Sequence, residues 1–104
     1  MNRGDVMDYK QVEKIMDSYN LKKEEKPFGT DFQLVIGNKH RIVLERLKPL
    51  INGEVRGFLY VRVLDDYRKT CSKNGHINVK NISNEAELRS IVERVIRYFE
   101  KEIF

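Results

Sequence analysis

The C-terminal stretch, residues 84–103, carries the pattern that most restricts what this chain can fold into. Its apolar side chains recur every three or four residues, which is the period of one face of an α-helix. The members of this stripe are Leu88, Ile91, Val92, Val95, Ile96, Phe99 and Ile103. Asn84 and Glu87 have the spacing of a capping box at the start of such a helix. A helix with so wide an apolar face must bury it, and we expect it to lie on a sheet.

The middle of the chain supplies that sheet. Short runs rich in β-branched and aromatic residues predict four strands, at residues 32–36, 40–47, 56–63 and 76–82. Residue pairs suited to tight turns separate them: Gly37-Asn38, Asn52-Gly53 and Asn74-Gly75. Short turns between successive strands indicate an antiparallel meander. Residues 40–51 also suit a short helix, and the choice between strand and helix stays open there.

The N-terminal part predicts a second helix, over residues 5–19. Asp5 or Asp8 can cap it, and its apolar side chains again fall at helical spacing. Residues 22–27 are charged and end in a proline, which indicates a solvated connector. The prediction is a single α+β domain, residues 1–104, with an N-terminal helix, a four-stranded antiparallel meander and a long C-terminal helix packed on the sheet. Either both helices share one face of the sheet or each takes its own.

Charge and cysteine content restrict the partners and the setting. Lys and Arg number 20 against 16 Asp and Glu, a net charge of +4 that permits an anionic partner without requiring one. The single cysteine, Cys71, excludes an internal disulfide and a four-thiolate zinc site, and it fits a reducing, cytoplasmic setting. Apolar runs are too short to span a membrane, and residues 1–8 have no signal-peptide core.

Catalytic and metal-binding patterns are weak. His40 and His76 lack the paired spacing that a metal site needs, and Cys71 near His76 has no third group to orient it. Asp65 and Asp66 would point to opposite faces of a strand, which makes them a poor chelating pair. The glycines are scattered over turns and strands and form no phosphate-binding loop. We therefore expect no enzymatic activity, no cofactor and no metal.

The strand at residues 56–63 has the most distinctive pattern. Its side chains alternate between two faces. One face is apolar, with Leu59, Val61 and Val63, and the other carries Arg56, Phe58, Tyr60 and Arg62. Two aromatic rings framed by two guanidinium groups can stack bases and neutralise phosphates.

This strand resembles the ribonucleoprotein octamer of RNA-recognition-motif domains. The matching residues are Arg56, Gly57, Phe58, Tyr60 and Val61, and the departures are Leu59 and Val63. The family places a helix and a strand between this octamer and its companion motif, which residues 34–38 faintly resemble, and residues 39–55 are too short for both. The family's last element is a strand, where this chain predicts a long helix. We interpret the match as a similarity of one basic-aromatic strand and assign no family.

The order of four strands and a helix is similar to that of the single-stranded-DNA-binding transcriptional coactivators and the Whirly proteins. The similarity is one of topology, and no sequence motif carries it. It implies that Phe58 and Tyr60 would stack bases, while Arg62, Lys80 and Arg41 would meet phosphates. The predicted function is a nucleic-acid-binding accessory protein that prefers single strands.

Three other interpretations stay open. The N-terminal helix can cover Phe58 and Tyr60, which would make them part of a second core. The same face can be the seam of a homodimer, because exposed aromatic patches usually meet a partner. The chain can also be a small protein-binding regulator or inhibitor, such as a phage-encoded or mobile-element-encoded anti-CRISPR protein. Its small size and its lack of a catalytic motif suit that function equally well.

Overall fold

A five-stranded antiparallel sheet forms the centre of the computed structural model, which describes residues 7–103. The elements are α1 (Tyr9–Asp17), β1 (Lys22–Lys26), β2 (Gly29–Ile36), β3 (Lys39–Pro49), β4 (Val55–Tyr60), β5 (His76–Asn78) and α2 (Glu85–Ile103). Short 3₁₀ turns lie at Asp65–Tyr67 and Val79–Asn81. Each strand pairs with the next one along the chain. The predicted α+β meander between an N-terminal and a C-terminal helix is confirmed.

Both helices pack on the same face of the sheet. One core contains Val12, Ile15 and Met16 of α1, Leu88, Ile91, Val92, Val95 and Phe99 of α2, and Phe32, Leu44 and Leu59 of the strands. The two helices also contact each other. The Tyr19 hydroxyl, just after α1, donates a hydrogen bond to Glu93 of α2 with 2.8 Å between the oxygens. α1 therefore does not lie over the face that carries Phe58.

The register of the strands separates the two faces of the sheet. On the helix side Leu44 of β3 pairs with Leu59 of β4, and both are fully buried. One residue along, Glu45 pairs with Phe58 on the side away from the helices. Burial alternates along β4 from Val55 to Tyr60, as expected for a strand with one covered face.

Residues 22–26 form the edge strand β1, where the sequence predicted a charged connector over 22–27, so the sheet has five strands rather than four. The charges of this segment have partners across the fold. Lys23 binds Glu13 of α1 at 2.9 Å, and Lys26 binds Asp31 of β2 at 2.8 Å. Charged side chains are common on edge strands because they discourage pairing with another chain. High charge was therefore compatible with a strand at this position.

A capping box sets the start of α1. Asp8 accepts a hydrogen bond from the Gln11 N–H at 2.9 Å, and the Gln11 side chain accepts one from the Asp8 N–H at 3.0 Å. This exchange satisfies two N–H groups that the helix leaves free. Asp5, the other predicted cap, lies outside the described residues. The helix is shorter than the predicted 5–19 segment.

The cap of α2 and the strand β3 agree with the sequence. Asn84 accepts a hydrogen bond from the Glu87 N–H at 2.9 Å, which confirms it as the cap. The Glu87 carboxylate accepts one from the Ser83 N–H, one residue before the position that a capping box uses. Because β3 extends over Lys39–Pro49, the strand interpretation of this region is correct and the short-helix interpretation is wrong.

A bulge interrupts β3 at Arg46. The φ angle of 58° places this non-glycine residue in the left-handed region. The register with β4 shifts here, between Glu45 and Lys48. The carboxylate of Asp31 accepts a hydrogen bond from the Arg46 N–H at 2.9 Å. Gly29 lies against the bulge with a φ of 139°, and a Cβ added there would lie 2.6 Å from the Arg46 carbonyl carbon.

We expect Gly29→Ala to destabilise the protein far more than Gly53→Ala. Gly53 also has a positive φ, 86°, but nothing lies within 4 Å of an added Cβ. Its substitution carries mainly the cost of a left-handed backbone, about 1–2 kcal/mol. Gly29→Ala adds a clash with backbone atoms and should cost about 3–5 kcal/mol. Chemical denaturation measures both values, and equal losses would show that Gly29 does not support the bulge.

The loop between β4 and β5 is held against α2 by polar contacts. The Tyr67 hydroxyl donates a hydrogen bond to the Glu87 carboxylate at 2.9 Å, and Arg94 binds Asp66 at 2.8 Å. Burial and the Glu87 carboxylate raise the pKa of Tyr67 to about 12. The Arg94 guanidinium holds the pKa of Asp66 below its usual value.

We expect the free energy of unfolding to decrease at alkaline pH, and we expect a smaller decrease in the Tyr67→Phe variant. Because folding raises the pKa of Tyr67, its neutral form contributes stability that is complete below the unfolded pKa of 10.0. That contribution is lost as the pH rises to about 12. The contribution of this hydroxyl is the difference between the unfolding free energies of the parent and of Tyr67→Phe, measured from pH 10 to pH 12. The same decline in both proteins would show that this hydroxyl does not carry the effect.

Candidate binding surface on the open sheet face

The face of the sheet turned away from the helices, here named the open face, carries both rings singled out in the sequence. Strand register places on it Lys22, Glu24, Lys26, Asp31, Gln33, Val35, His40, Ile42, Glu45, Lys48, Arg56, Phe58, Tyr60, His76 and Asn78. Within residues 7–103 both helices pack on the opposite face, and this surface lies outside them apart from Tyr60, which packs against Phe99 of α2. Such a face is open to a partner.

One end of the open face, here named the cationic end, lies beside the β1–β2 turn and the β3–β4 turn. It consists of Lys26, Phe28, Arg46, Lys48, Arg56 and Phe58. Phe28 occupies the turn and is 49% exposed. The Arg46 guanidinium carbon lies 5.3 Å from the centroid of its ring, and the Lys26 ammonium lies 6.0 Å from it. Both distances are within the range of a cation–π contact.

Three of these cations have no acidic partner. Within residues 7–103, Arg46, Lys48 and Arg56 form no salt bridge, whereas Lys26 is bound to Asp31. The Nε atom of Arg56 is buried and has no hydrogen-bond partner among the described residues. Lys48 and Arg56 are cross-strand neighbours, so their like charges repel across β3 and β4. An anion bound at this end would relieve that repulsion.

Phe58 lies at the centre of the open face and is half-buried. Its cross-strand neighbours are Glu45 on β3 and Asn78 on β5. It lines a depression of about 370 Å³ together with these two residues and with Arg46, Ser72, Asn74 and His76. The walls of this depression therefore present hydrogen-bond donors and acceptors around one aromatic ring.

Tyr60 has a different environment, because α2 covers part of it. Its ring stacks on that of Phe99, with centroids 5.4 Å apart and an interplanar angle of 21°. The His76 ring approaches it edge-on at 5.8 Å. Burial raises the pKa of the Tyr60 hydroxyl. One face of this ring is thus already occupied within the protein, by the C-terminal helix rather than by α1.

The remaining predicted residues are spread over three places. Arg41 binds Glu102 of α2, with 3.0 Å between Nε and Oε1, and lies with Tyr60 around a second depression of about 400 Å³. Arg62 follows the end of β4, is exposed, and packs its stem against Gly75. Lys80 is exposed in a 3₁₀ turn. The structure brings Arg56 and Phe58 together in the cationic end and leaves these three cations outside it.

Phe28, Arg46 and Lys48 were not among the predicted site residues. Phe28 was assigned to no element, because the segment before it was interpreted as a connector instead of a strand. The bulge at Arg46 places its side chain over Phe28, and no sequence pattern predicted that bulge. The sequence does contain a pattern that indicates two of these residues. Arg46 and Lys48 alternate with Leu47, which is the period of a strand with one covered face.

The residues considered for catalysis do not converge. The Cys71 thiol donates to the Arg68 carbonyl at 3.5 Å, and Asp65 pairs with Arg68. Asp66 is engaged by Arg94. Among residues 7–103, no three His, Cys, Asp or Glu side chains lie close enough together to hold a metal ion.

Comparison with known proteins adds no relative. No family model, curated protein or solved structure matches the chain. The resemblance to the octamer stays confined to residues 56–63, of which residues 56–60 lie in β4 and residues 61–63 follow it. Within the described part of the chain, neither helix has the length and apolar content needed to cross a membrane.

We expect Tyr60→Ala to lower stability and Tyr60→Phe to leave it nearly unchanged. Loss of the ring removes the stack on Phe99 and should cost about 2–3 kcal/mol. The phenylalanine variant keeps that stack and should cost less than about 1 kcal/mol. Chemical denaturation of both variants checks this. A Tyr60→Ala protein as stable as the parent would mean that α2 does not hold the ring.

Proposed function

We propose that the protein is a non-enzymatic nucleic-acid-binding accessory protein, and that it takes single strands on the cationic end of the open face. The observation that carries this proposal is a group of three cations, Arg46, Lys48 and Arg56, that form no salt bridge within residues 7–103 and lie beside the accessible ring of Phe58. Cations next to an aromatic ring on an uncovered sheet are the usual components of a single-strand binding surface.

The chemistry of these groups matches the components of a nucleotide. A base stacked on Phe58 would contribute on the order of 1–3 kcal/mol. The guanidinium groups of Arg46 and Arg56 would bind phosphate oxygens through charge-assisted hydrogen bonds. A single strand fits this arrangement better than a duplex, because a duplex keeps the faces of its bases stacked and out of reach.

The depression around Phe58 supplies groups for the edges of a base. Asn78 and Asn74 carry amides that both donate and accept hydrogen bonds. The Glu45 carboxylate can accept a hydrogen bond from an exocyclic amino group, as acidic side chains do with cytosine. The surface can therefore combine stacking, phosphate contacts and some preference among bases.

Binding of an oligonucleotide should weaken steeply with salt and depend on both the ring and the cations. Phe58→Ala should reduce affinity roughly 5- to 150-fold through loss of stacking. Arg56→Ala and Arg46→Ala should each reduce the slope of log K against log salt by about 1, because each removes one phosphate contact. Fluorescence anisotropy of a labelled single strand across a salt series gives both quantities.

Arg97→Ala is the matched control, since Arg97 is an exposed arginine on α2 and lies on the other side of the sheet. It should leave affinity and slope unchanged. If no polynucleotide binds at low salt, the proposal is wrong. The protein-binding regulator then replaces it, with the exposed Val35 and Ile42 of the open face as its contact surface.

A further inference from the structure

We propose that Phe28 is a second base-stacking position, so that a bound strand crosses the sheet from β4 to the β1–β2 turn instead of following the strands. This inference rests on the proposed function and adds to it a path and a second contact. It follows from the exposure of the Phe28 ring, from the two cations over it, and from the buried Asp31 carboxylate that binds the Lys26 ammonium and the backbone N–H of Arg46.

The Phe28 ring contributes little to the packing of the fold. It is nearly half exposed and does not belong to the hydrophobic core, although it occupies a tight turn where a polar residue would be more usual. Two cations lie over part of it, Arg46 on β3 and Lys26 on β1. A base would stack on the exposed remainder of the ring, with Arg46 beside the adjoining phosphate.

Asp31 fixes this arrangement before any ligand arrives. Its side chain is 4% exposed, and its two oxygens have separate tasks. Oδ2 binds the Lys26 ammonium at 2.8 Å and raises the pKa of that lysine, while Oδ1 accepts the N–H of Arg46 at 2.9 Å. The second contact stabilises the bulge from which Arg46 reaches over Phe28. Groups that are already in place lose less entropy on binding.

Phe28 lies at the end of the sheet, and Phe58 lies two residues along β4 from Arg56, which is at that same end. Lys26 pairs with Gly29, and Lys48 pairs with Arg56, so the β1–β2 turn, the bulge and the start of β4 are side by side. β2 and β4 are two strand spacings apart, about 10 Å, and Phe28 is also displaced from Phe58 along the strand direction. A stacked strand rises about 3.4 Å per nucleotide, so a strand that spans both rings needs more than about three nucleotides. Arg46 lies between the two rings and would bind a phosphate on the way.

The chain has no tryptophan, so a single introduced indole reports on its own site. We would titrate Phe28→Trp, Phe58→Trp and Tyr98→Trp with an oligothymidylate of about eight nucleotides at low salt. Tyr98 is 45% exposed on α2 and serves as the matched control. Stacking of a base on the indole should quench its fluorescence at positions 28 and 58 with the same dissociation constant, and leave position 98 unchanged.

The outcomes separate the two proposals. Quenching at position 58 without quenching at position 28 would overturn the second stacking position and leave the proposed function standing. Absence of binding in every variant would contradict both the proposed function and the second stacking position. Phe28→Ala should weaken the same oligonucleotide about tenfold, and an unchanged affinity would also overturn the inference. Polyglutamate that competes as well as the oligonucleotide would show anion binding without stacking, and that result contradicts the proposal too.

Discussion

Both helices bury their apolar stripes against one face of the sheet, and the rest of the structure depends on this. α1 and α2 meet each other as well as the strands, and Tyr19 and Arg89 join them at the surface through a cation–π contact. The helices cover one face of the sheet and complete the core there. Because successive side chains of a strand point to opposite faces, every second residue lies on the other face. The side chains of that second set are therefore not selected for packing under a helix, and they can serve a partner.

Within the open face, the bulge at Arg46 separates two environments. Toward the β1–β2 turn, Arg46 and Lys48 form no salt bridge with any residue of 7–103, and the Phe28 ring is exposed. Toward the other end, Tyr60 is stacked on Phe99, and Arg41 is neutralised by Glu102. Phe58 and Tyr60 are only two positions apart in the sequence, yet Phe58 lines a depression of the open face and Tyr60 is packed against α2.

The sequence predicted the elements whose periodicity is strong and missed those that depend on distant partners. The stripe of α2 and the cap at Asn84 are local patterns, and both were found. Strand β1 was missed because its charges are neutralised by Glu13 and Asp31, which are remote in the sequence and adjacent only in the fold. The grouping of Phe28 with Arg46 was missed for the same reason, since it needs both β1 and the bulge. The proximity of Arg56 and Phe58 was predicted because both lie on one strand.

The composition of β1 has a consequence for the behaviour of the protein at high concentration. No strand within residues 7–103 pairs with the outer side of β1, and such a border can template the addition of strands from neighbouring molecules. Lysines and glutamates at every position make that addition costly, because a second molecule would bring the same charges into register. Substitutions that made this segment more apolar would raise its intrinsic strand propensity and, at the same time, open a route to fibrils.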